Sequence, residues 1–186
     1  MAKLINFNGR FCESDYEFAF ISYLETEGWQ YLPGNKLARK EIKEVLHADD
    51  IKEYLATNNP DLSKDDIEKL FDTIRLVGAE SDFATLHKFY NWLIDGIKFT
   101  PQDGQPRTIQ LIDFERPENN IFRVINQLTV EYINNGKKEN RRPDVLLYVN
   151  GFPLCVIELK NPADANATIY DAWEQINIRY WRDIPH

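Results

Sequence analysis

At 186 residues the chain is long enough for one domain with a substantial core, or for one domain carrying an insertion. Its 43% hydrophobic and 28% charged content is that of a soluble globular protein, and no apolar run is long enough to span a bilayer. The net charge of −8 argues against a stand-alone nucleic-acid clamp, but it does not exclude an enzyme whose active site must itself be acidic to hold a metal. The opening Met-Ala-Lys-Leu-Ile-Asn lacks a secretory hydrophobic segment. Cys12 and Cys155 are the only cysteines. Cys155 lies within the apolar run 154–157, where a buried small hydrophobe is expected rather than a disulfide, in keeping with a reducing cytoplasm.

In chain order, Ser14-Asp15-Tyr16-Glu17 reads as a capping box opening a helix with Phe18, Ile21 and Leu24 on one face, stopped by Gly28. Residues 29–32 read as a short extended piece ending in a turn at Pro33-Gly34. A helical stretch follows, about 49–96. Ile51, Tyr54 and Leu55 form one face. Ser63-Lys64-Asp65-Asp66 caps a second helix carrying Ile67, Leu70, Phe71 and Ile74. A third runs from about Ser81, with Leu86, Phe89, Leu93 and Ile94 inward, until Gly96 ends it. Beyond Gly96 the texture changes to Ile, Val, Thr and Phe: 97–99, 108–114 and 122–132 read as strands, with 123–130 alternating as a half-buried strand should. Val145–Val149 and Phe152–Ile157 are apolar nearly throughout, which suggests central strands covered on both faces. A last helix runs from Thr168 to Arg182 with Ile169, Trp173, Ile176 and Tyr180 on its apolar side. One α/β domain is expected, with a mixed sheet flanked by helices and the helical insertion preceding it. The end at Ile184-Pro185-His186 reads as a boundary inside a longer protein.

The chemistry is concentrated in one hairpin. Arg142-Pro143-Asp144 opens its first strand, Asn150-Gly151 turns it, and Glu158-Leu159-Lys160 closes the return. Register decides whether the acids meet. With a two-residue loop, 149 faces 152 and Asp144 lies opposite Ile157, so Glu158 points to the other face. With a three-residue loop, 148 faces 152 and Asp144, Glu158 and Lys160 share a face. A catalytic arrangement therefore requires a one-residue offset, at the turn or along a strand. Two carboxylates on one face suit Mg²⁺, a hard cation that takes oxygen ligands, and the Leu159 carbonyl is placed to add one more. A neighbouring lysine can orient or deprotonate a water attacking a phosphodiester. The bland alternative is a strand-end ion pair between Glu158 and Lys160. The basic run Lys137, Lys138, Arg141 and Arg142 reads either as a solvated loop or as a phosphate contact.

The stretch 141–162, RRPDVLLYVNGFPLCVIELKNP, closely resembles the nuclease module at the N-terminus of the restriction (R, motor) subunit of type I restriction enzymes, in the PD-(D/E)xK superfamily. The resemblance covers the strands from about Phe122 onward and the last helix. It implies a restriction-endonuclease-like fold, Asp144 and Glu158 as metal ligands, and Lys160 as the catalytic lysine. Glu17 on the first helix is the candidate for a further acid beside the metal; its other reading is the N3 residue of the Ser14 capping box. The family carries a Gln and a Tyr four residues apart on the helix after the lysine. Here Gln175 is followed at that distance by Arg179, with Tyr180 one further on, so either the helix accommodates an extra residue or Arg179 takes part. The resemblance also implies double-stranded DNA as substrate and a complex with modification (methyltransferase) and specificity subunits. It implies helicase-like motor domains downstream too, and these would bind ATP, since the chain has no phosphate-binding Gly-Lys-Ser/Thr loop. DNA would then be held mainly by the motor and the partner subunits.

Two rival readings stand beside this one: a docking module with a degenerate nuclease fold, and a nuclease of the same superfamily serving DNA repair. His47, His87 and His186 are isolated and read as surface or capping residues rather than zinc ligands. Trp29, Trp92, Trp173 and Trp181 read as core or interface residues rather than a base-stacking platform.

Overall fold

The computed structural model describes residues 12–77, 83–160 and 168–180. The elements run α1 (Glu13–Thr26), β1 (Gln30–Pro33), α2 (Ala48–Asn58), α3 (Lys64–Val77), α4 (Phe83–Asp95), β2 (Ile97–Phe99), β3 (Arg107–Ile109), β4 (Phe122–Asn126), β5 (Val130–Asn134), β6 (Lys137–Arg141), β7 (Val145–Val149), β8 (Phe152–Ile157) and α5 (Ile169–Glu174). A π-helical turn over Gln175–Tyr180 continues α5. Four strands form one mixed sheet in the order β1-β4-β7-β8, with β1 and β4 parallel; β2 pairs with β3, and β5 with β6, as antiparallel ribbons. This is the expected α/β class. In chain order the three helices α2, α3 and α4 fall between β1 and β4.

The chain divides into two compact units, one within Met1–Leu37, Phe122–Leu147 and Leu154–Ile184, the other within Ala38–Ile121 and Tyr148–Pro153. In the first unit Ile21 and Leu24 of α1 pack with Val124 of β4 and Val145 of β7, and Trp29, Tyr31, Leu147 and Ile157 close around them. The cap of α1 differs from expectation. Cys12, not Ser14, is the N-cap, and its main-chain N–H donates to Asp15 Oδ2 at 2.8 Å. The inward face of the helix is Glu17, Ile21 and Leu24, and Phe18, expected on that face, is exposed. Gly28 ends the helix with φ 91, a left-handed conformation that costs other residues more.

The second unit packs Ile51, Tyr54 and Leu55 of α2 against Ile67, Leu70 and Ile74 of α3, with Ile97, Ile109, Leu111 and Phe152. The Phe89 ring of α4 is tilted against that of Phe152, ring centroids 5.6 Å apart, and Leu93 joins the same core; Leu86 and Ile94, expected inward, are exposed. Ser63 caps α3 as its sequence signals: the Ser63 hydroxyl accepts from Asp66 N–H at 3.1 Å and donates to Asp66 Oδ2 at 2.6 Å. The expected strand 108–114 is strand only to Ile109; Leu111 and Ile112 are buried without one. The hairpin tip is fastened here. Asn150 is fully buried, donates to Leu111 O at 2.9 Å and accepts from Ile121 N–H at 2.7 Å, while Gly151 O accepts from His47 N–H at 2.9 Å. A Cβ on Gly151 would stand 2.4 Å from His47 O, so glycine is required by space as well as by its φ of 83.

Two further expectations change. The run 122–132 is not one strand: the chain breaks at Gln127, φ 51, between β4 and β5. β8 is an edge strand rather than a central one, so Leu154, Cys155 and Val156 are exposed, and Cys155 is a surface thiol. His47 is buried at the N-cap of α2, with Nδ1 2.7 Å from Asp50 Oδ2, whereas His87 is exposed. Trp29 stacks obliquely on Phe122 and Trp92 joins the second core, but Trp173 is half exposed beside Tyr170. Ser81, Trp181, Arg182 and His186 lie outside the described residues.

Candidate active site

The first unit gathers the expected acids. Pro143 interrupts the chain after β6, because a residue without an N–H and with fixed φ does not continue a ladder. Asp144 then occupies a bend immediately before β7. Its Oδ2 accepts from Leu159 N–H at 2.8 Å, and its own N–H points at Glu158 Oε1, 3.4 Å away. Asp144 and Glu158 thus meet. The turn is not what brings them together. Asn150 and Gly151 have φ 50 and 83, the pair of left-handed residues of a two-residue type I′ turn, so the three-residue loop is excluded. Each acid instead stands one residue outside its strand, Asp144 before β7 and Glu158 after β8, where the pleat no longer dictates direction.

Glu158 is held from the last helix. Tyr180 Oη donates to Oε1 at 2.6 Å, and the Gln175 side-chain NH₂ donates both to Oε2 and to Tyr180 Oη, each at 2.7 Å. Gln175 Oε1 accepts from Lys160 Nζ at 3.1 Å, so one amide links the lysine to the acid. The π-helical turn explains the shifted spacing. Its i→i+5 bonding widens one turn by a residue, which puts Gln175 and Tyr180, five apart, on one face. The helix accommodates the extra residue, and the exposed Arg179 takes no part in this network.

Burial, with the neighbouring charge of Asp144 adding to it, pushes the Glu158 carboxyl up to about 7 against the opposing effect of the Tyr180 hydroxyl. The Tyr180 phenol is itself raised, by burial first and then by its bond to Glu158.

Glu17 is buried, only 4% exposed, and its carboxylate accepts from the side-chain amides of Asn126 and, at 2.7 Å, of Gln127. The capping-box reading of Glu17 falls with the Cys12 cap. Asn126 is oriented in turn by Tyr31 Oη, 3.0 Å from its Oδ1. The Gln127 amide also donates to Asp144 Oδ1 at 3.2 Å. An open cleft is lined by Glu17, Asn126, Gln127, Arg142 and Asp144. Among the described residues no three His, Cys, Asp or Glu side chains stand together as a ready ligand set.

The basic run is a strand, not a loop. Lys137, Lys138 and Arg141 lie on β6, which pairs with β5 across Asn135 and Gly136, φ 48 and 76, a second Asn-Gly turn. Lys138 pairs with Glu131 at 2.9 Å, and the Arg141 guanidinium lies 5.0 Å from the Tyr132 ring centroid. Of the four, Arg142 alone lines the cleft.

Asn126, Gln127 and Tyr31 do not emerge from sequence reasoning. The available signal was the polar pair Asn126-Gln127 closing an apolar run, which passes for an outward-facing position of a longer strand.

A four-stranded mixed sheet with flanking helices and acids at the strand ends is a restriction-endonuclease-like arrangement. The comparison with protein families agrees: residues 10–184 match the family described as type I restriction enzyme R protein N terminus, and the chain belongs to it. It is 32% identical over 177 residues, 88% of its length, to the type I restriction enzyme HindI endonuclease subunit of Haemophilus influenzae. It is also 32% identical over 179 residues, 91% of its length, to a Methanocaldococcus jannaschii protein assigned as the type I restriction enzyme MjaIXP endonuclease subunit. The chain spans 16% and 17% of the length of these two relatives.

Proposed function

We propose that this chain is the nuclease domain of a type I restriction subunit and cuts double-stranded DNA with the help of Mg²⁺. The observation that carries the reading is the meeting of Asp144 and Glu158, with Lys160 tied to Glu158 through Gln175. That arrangement on this fold supports a PD-(D/E)xK reading.

The donor set suits the cation. Partial burial first, and then the neighbouring charge of Asp144, push the Glu158 carboxyl up, and every group offered is an oxygen. Asp144, Glu158 and the Leu159 carbonyl would hold the ion, with Glu17 near it. When bound, Mg²⁺ would polarise the scissile phosphate and lower the pKa of a water. The chain's own residues do the rest. Gln175 keeps Lys160 Nζ beside Glu158, where the amine orients an attacking water and offsets charge building on phosphorus. Tyr180 fixes the rotamer of Glu158. Arg142 in the cleft, with Lys137, Lys138 and Arg141 on the adjoining strand, supplies phosphate contacts within an otherwise acidic chain. Motor domains downstream would supply ATP-driven translocation, and modification and specificity subunits would choose the DNA, all in the cytoplasm.

The test is Mg²⁺ titration calorimetry, with and without a short duplex, on the wild type and Asp144→Ala, followed by cleavage assays in the assembled enzyme. Binding and cleavage that both vanish in Asp144→Ala support the reading. Cleavage that survives the substitution makes this region a docking module and places the cutting elsewhere.

A further inference from the structure

The side chain of Gln127 touches two of the three acids, and its backbone is held in a conformation that a side chain disfavours. Its φ of 51 lies in the left-handed region, where glycine is at ease and a glutamine is not. The turn is nonetheless fixed from several directions. Gln127 N–H donates to Asp144 O at 2.9 Å, and Leu128 is fully buried. Gly34 presses against the same turn so closely that a Cβ there would lie 2.4 Å from Asn126 O and 2.7 Å from the Leu128 backbone. From that turn a single side-chain NH₂ donates to Glu17 Oε2 at 2.7 Å and to Asp144 Oδ1 at 3.2 Å. The other oxygen of Glu17 is taken by Asn126. The other oxygen of Asp144 is taken by Leu159 N–H.

We infer that Gln127 is a positioning residue for the cutting site: its amide joins the buried Glu17 to Asp144 and sets the direction of the Asp144 carboxylate, so that Glu17 acts through Gln127. This rests on the reading of Asp144 as a metal ligand. The chemistry follows from the donor count. An amide NH₂ has two hydrogens, and here each goes to a different carboxylate, so rotating Asp144 breaks a bond whose other half is anchored by a buried acid. Such supporting hydrogen bonds commonly carry tenfold to hundredfold in metal affinity. The left-handed backbone is what delivers the side chain, because a residue in extended conformation there would continue β4 and alternate away from Asp144.

The test uses the full-length subunit and four variants: Gln127→Ala, Gln127→Gly, Asp144→Asn, and Gln127→Gly with Asp144→Asn. Glycine is the discriminating choice, since it accepts the left-handed turn without strain and removes only the amide. Mg²⁺ affinity is read by calorimetry without nucleotide, the Mg²⁺ concentration for half-maximal cleavage by assay in the assembled enzyme, and folding by thermal unfolding. Gln127→Gly and Gln127→Ala are expected to weaken Mg²⁺ binding by about ten- to a hundredfold and to raise the half-maximal concentration to match, with a smaller loss of rate at saturating Mg²⁺. In the Asp144→Asn background the glycine substitution should add nothing. A Gln127→Gly protein that binds Mg²⁺ and cuts like the wild type would reduce Gln127 to a turn residue and overturn the inference, leaving the site intact. Mg²⁺ binding and cleavage unchanged by Asp144→Asn itself would instead overturn the reading of the site, and the inference with it.

Discussion

The two compact units handle their acids in different ways. In the helical unit Asp66 and Asp113 each have donors suited to them. Asp66 accepts from the Ser63 hydroxyl and from Gln102 N–H at 3.0 Å, and these bonds hold its carboxyl below the usual range. Asp113 is lowered likewise by Asn119 and the Arg116 N–H, and Asp50 sits against His47. In the unit that carries the sheet, Glu17, Asp144 and Glu158 share amide and phenol donors, and Glu158 is pushed upward. The difference separates acids whose hydrogen bonds lower the carboxyl from Glu158, whose partial burial raises it. A raised carboxyl beside a second carboxylate occurs more often at functional sites than at purely structural ones.

That contrast can be broken at several points. The largest expected effect is Lys160→Ala, which should lower the cleavage rate of the assembled enzyme by roughly 10²- to 10⁴-fold while leaving the unfolding temperature nearly unchanged. A variant that cuts at close to the wild-type rate would remove the lysine from the mechanism. Next is Phe152→Ala in the helical unit, where the ring is 1% exposed and packs on Phe89. It should cost about 3–5 kcal/mol in chemical denaturation, a stability effect without chemistry of its own.

A smaller, pH-dependent effect belongs to Glu158. Its carboxyl is raised from 4.5 to about 7, so between those values the folded protein binds more protons than the unfolded chain. Stability of the metal-free protein should therefore fall as pH rises through that window, and Glu158→Gln should flatten the decline. A wild-type stability curve that climbs there would contradict the crowding described. Smallest is Ser63→Ala, which removes the cap of α3 and should cost about 1 kcal/mol, read as a shift in urea midpoint.

The parts of this molecule visible in its sequence are those specified locally. Asn150-Gly151 announced its turn because two left-handed residues in a row are cheap for few other pairs. Asp144, Glu158 and Lys160 stood out because charges at the ends of apolar strands need a reason. Ser63 announced a helix start through a bond that spans three residues. What stayed hidden depends on distant neighbours. Gln127 looks like a strand residue until Gly34 and Asp144 are seen holding its turn. Cys155 looks buried until strand order places β8 at the edge. The Asn135-Gly136 turn was equally legible, but the charges that follow it suggested a loop, and strand β6 was obscured by its own polarity.

The widened turn at Gln175–Tyr180 has a consequence for how this helix tolerates change in length. Inserting one residue in a regular helix swings everything beyond it by about 100° around the axis. Here the surplus is confined to a single turn, and the tyrosine returns to the side it would have occupied without it. The bulge acts as a local absorber of an insertion. Deleting one residue between Gln175 and Tyr180, Asn177 for instance, should close the bulge into ordinary helix and leave the phenol still facing Glu158.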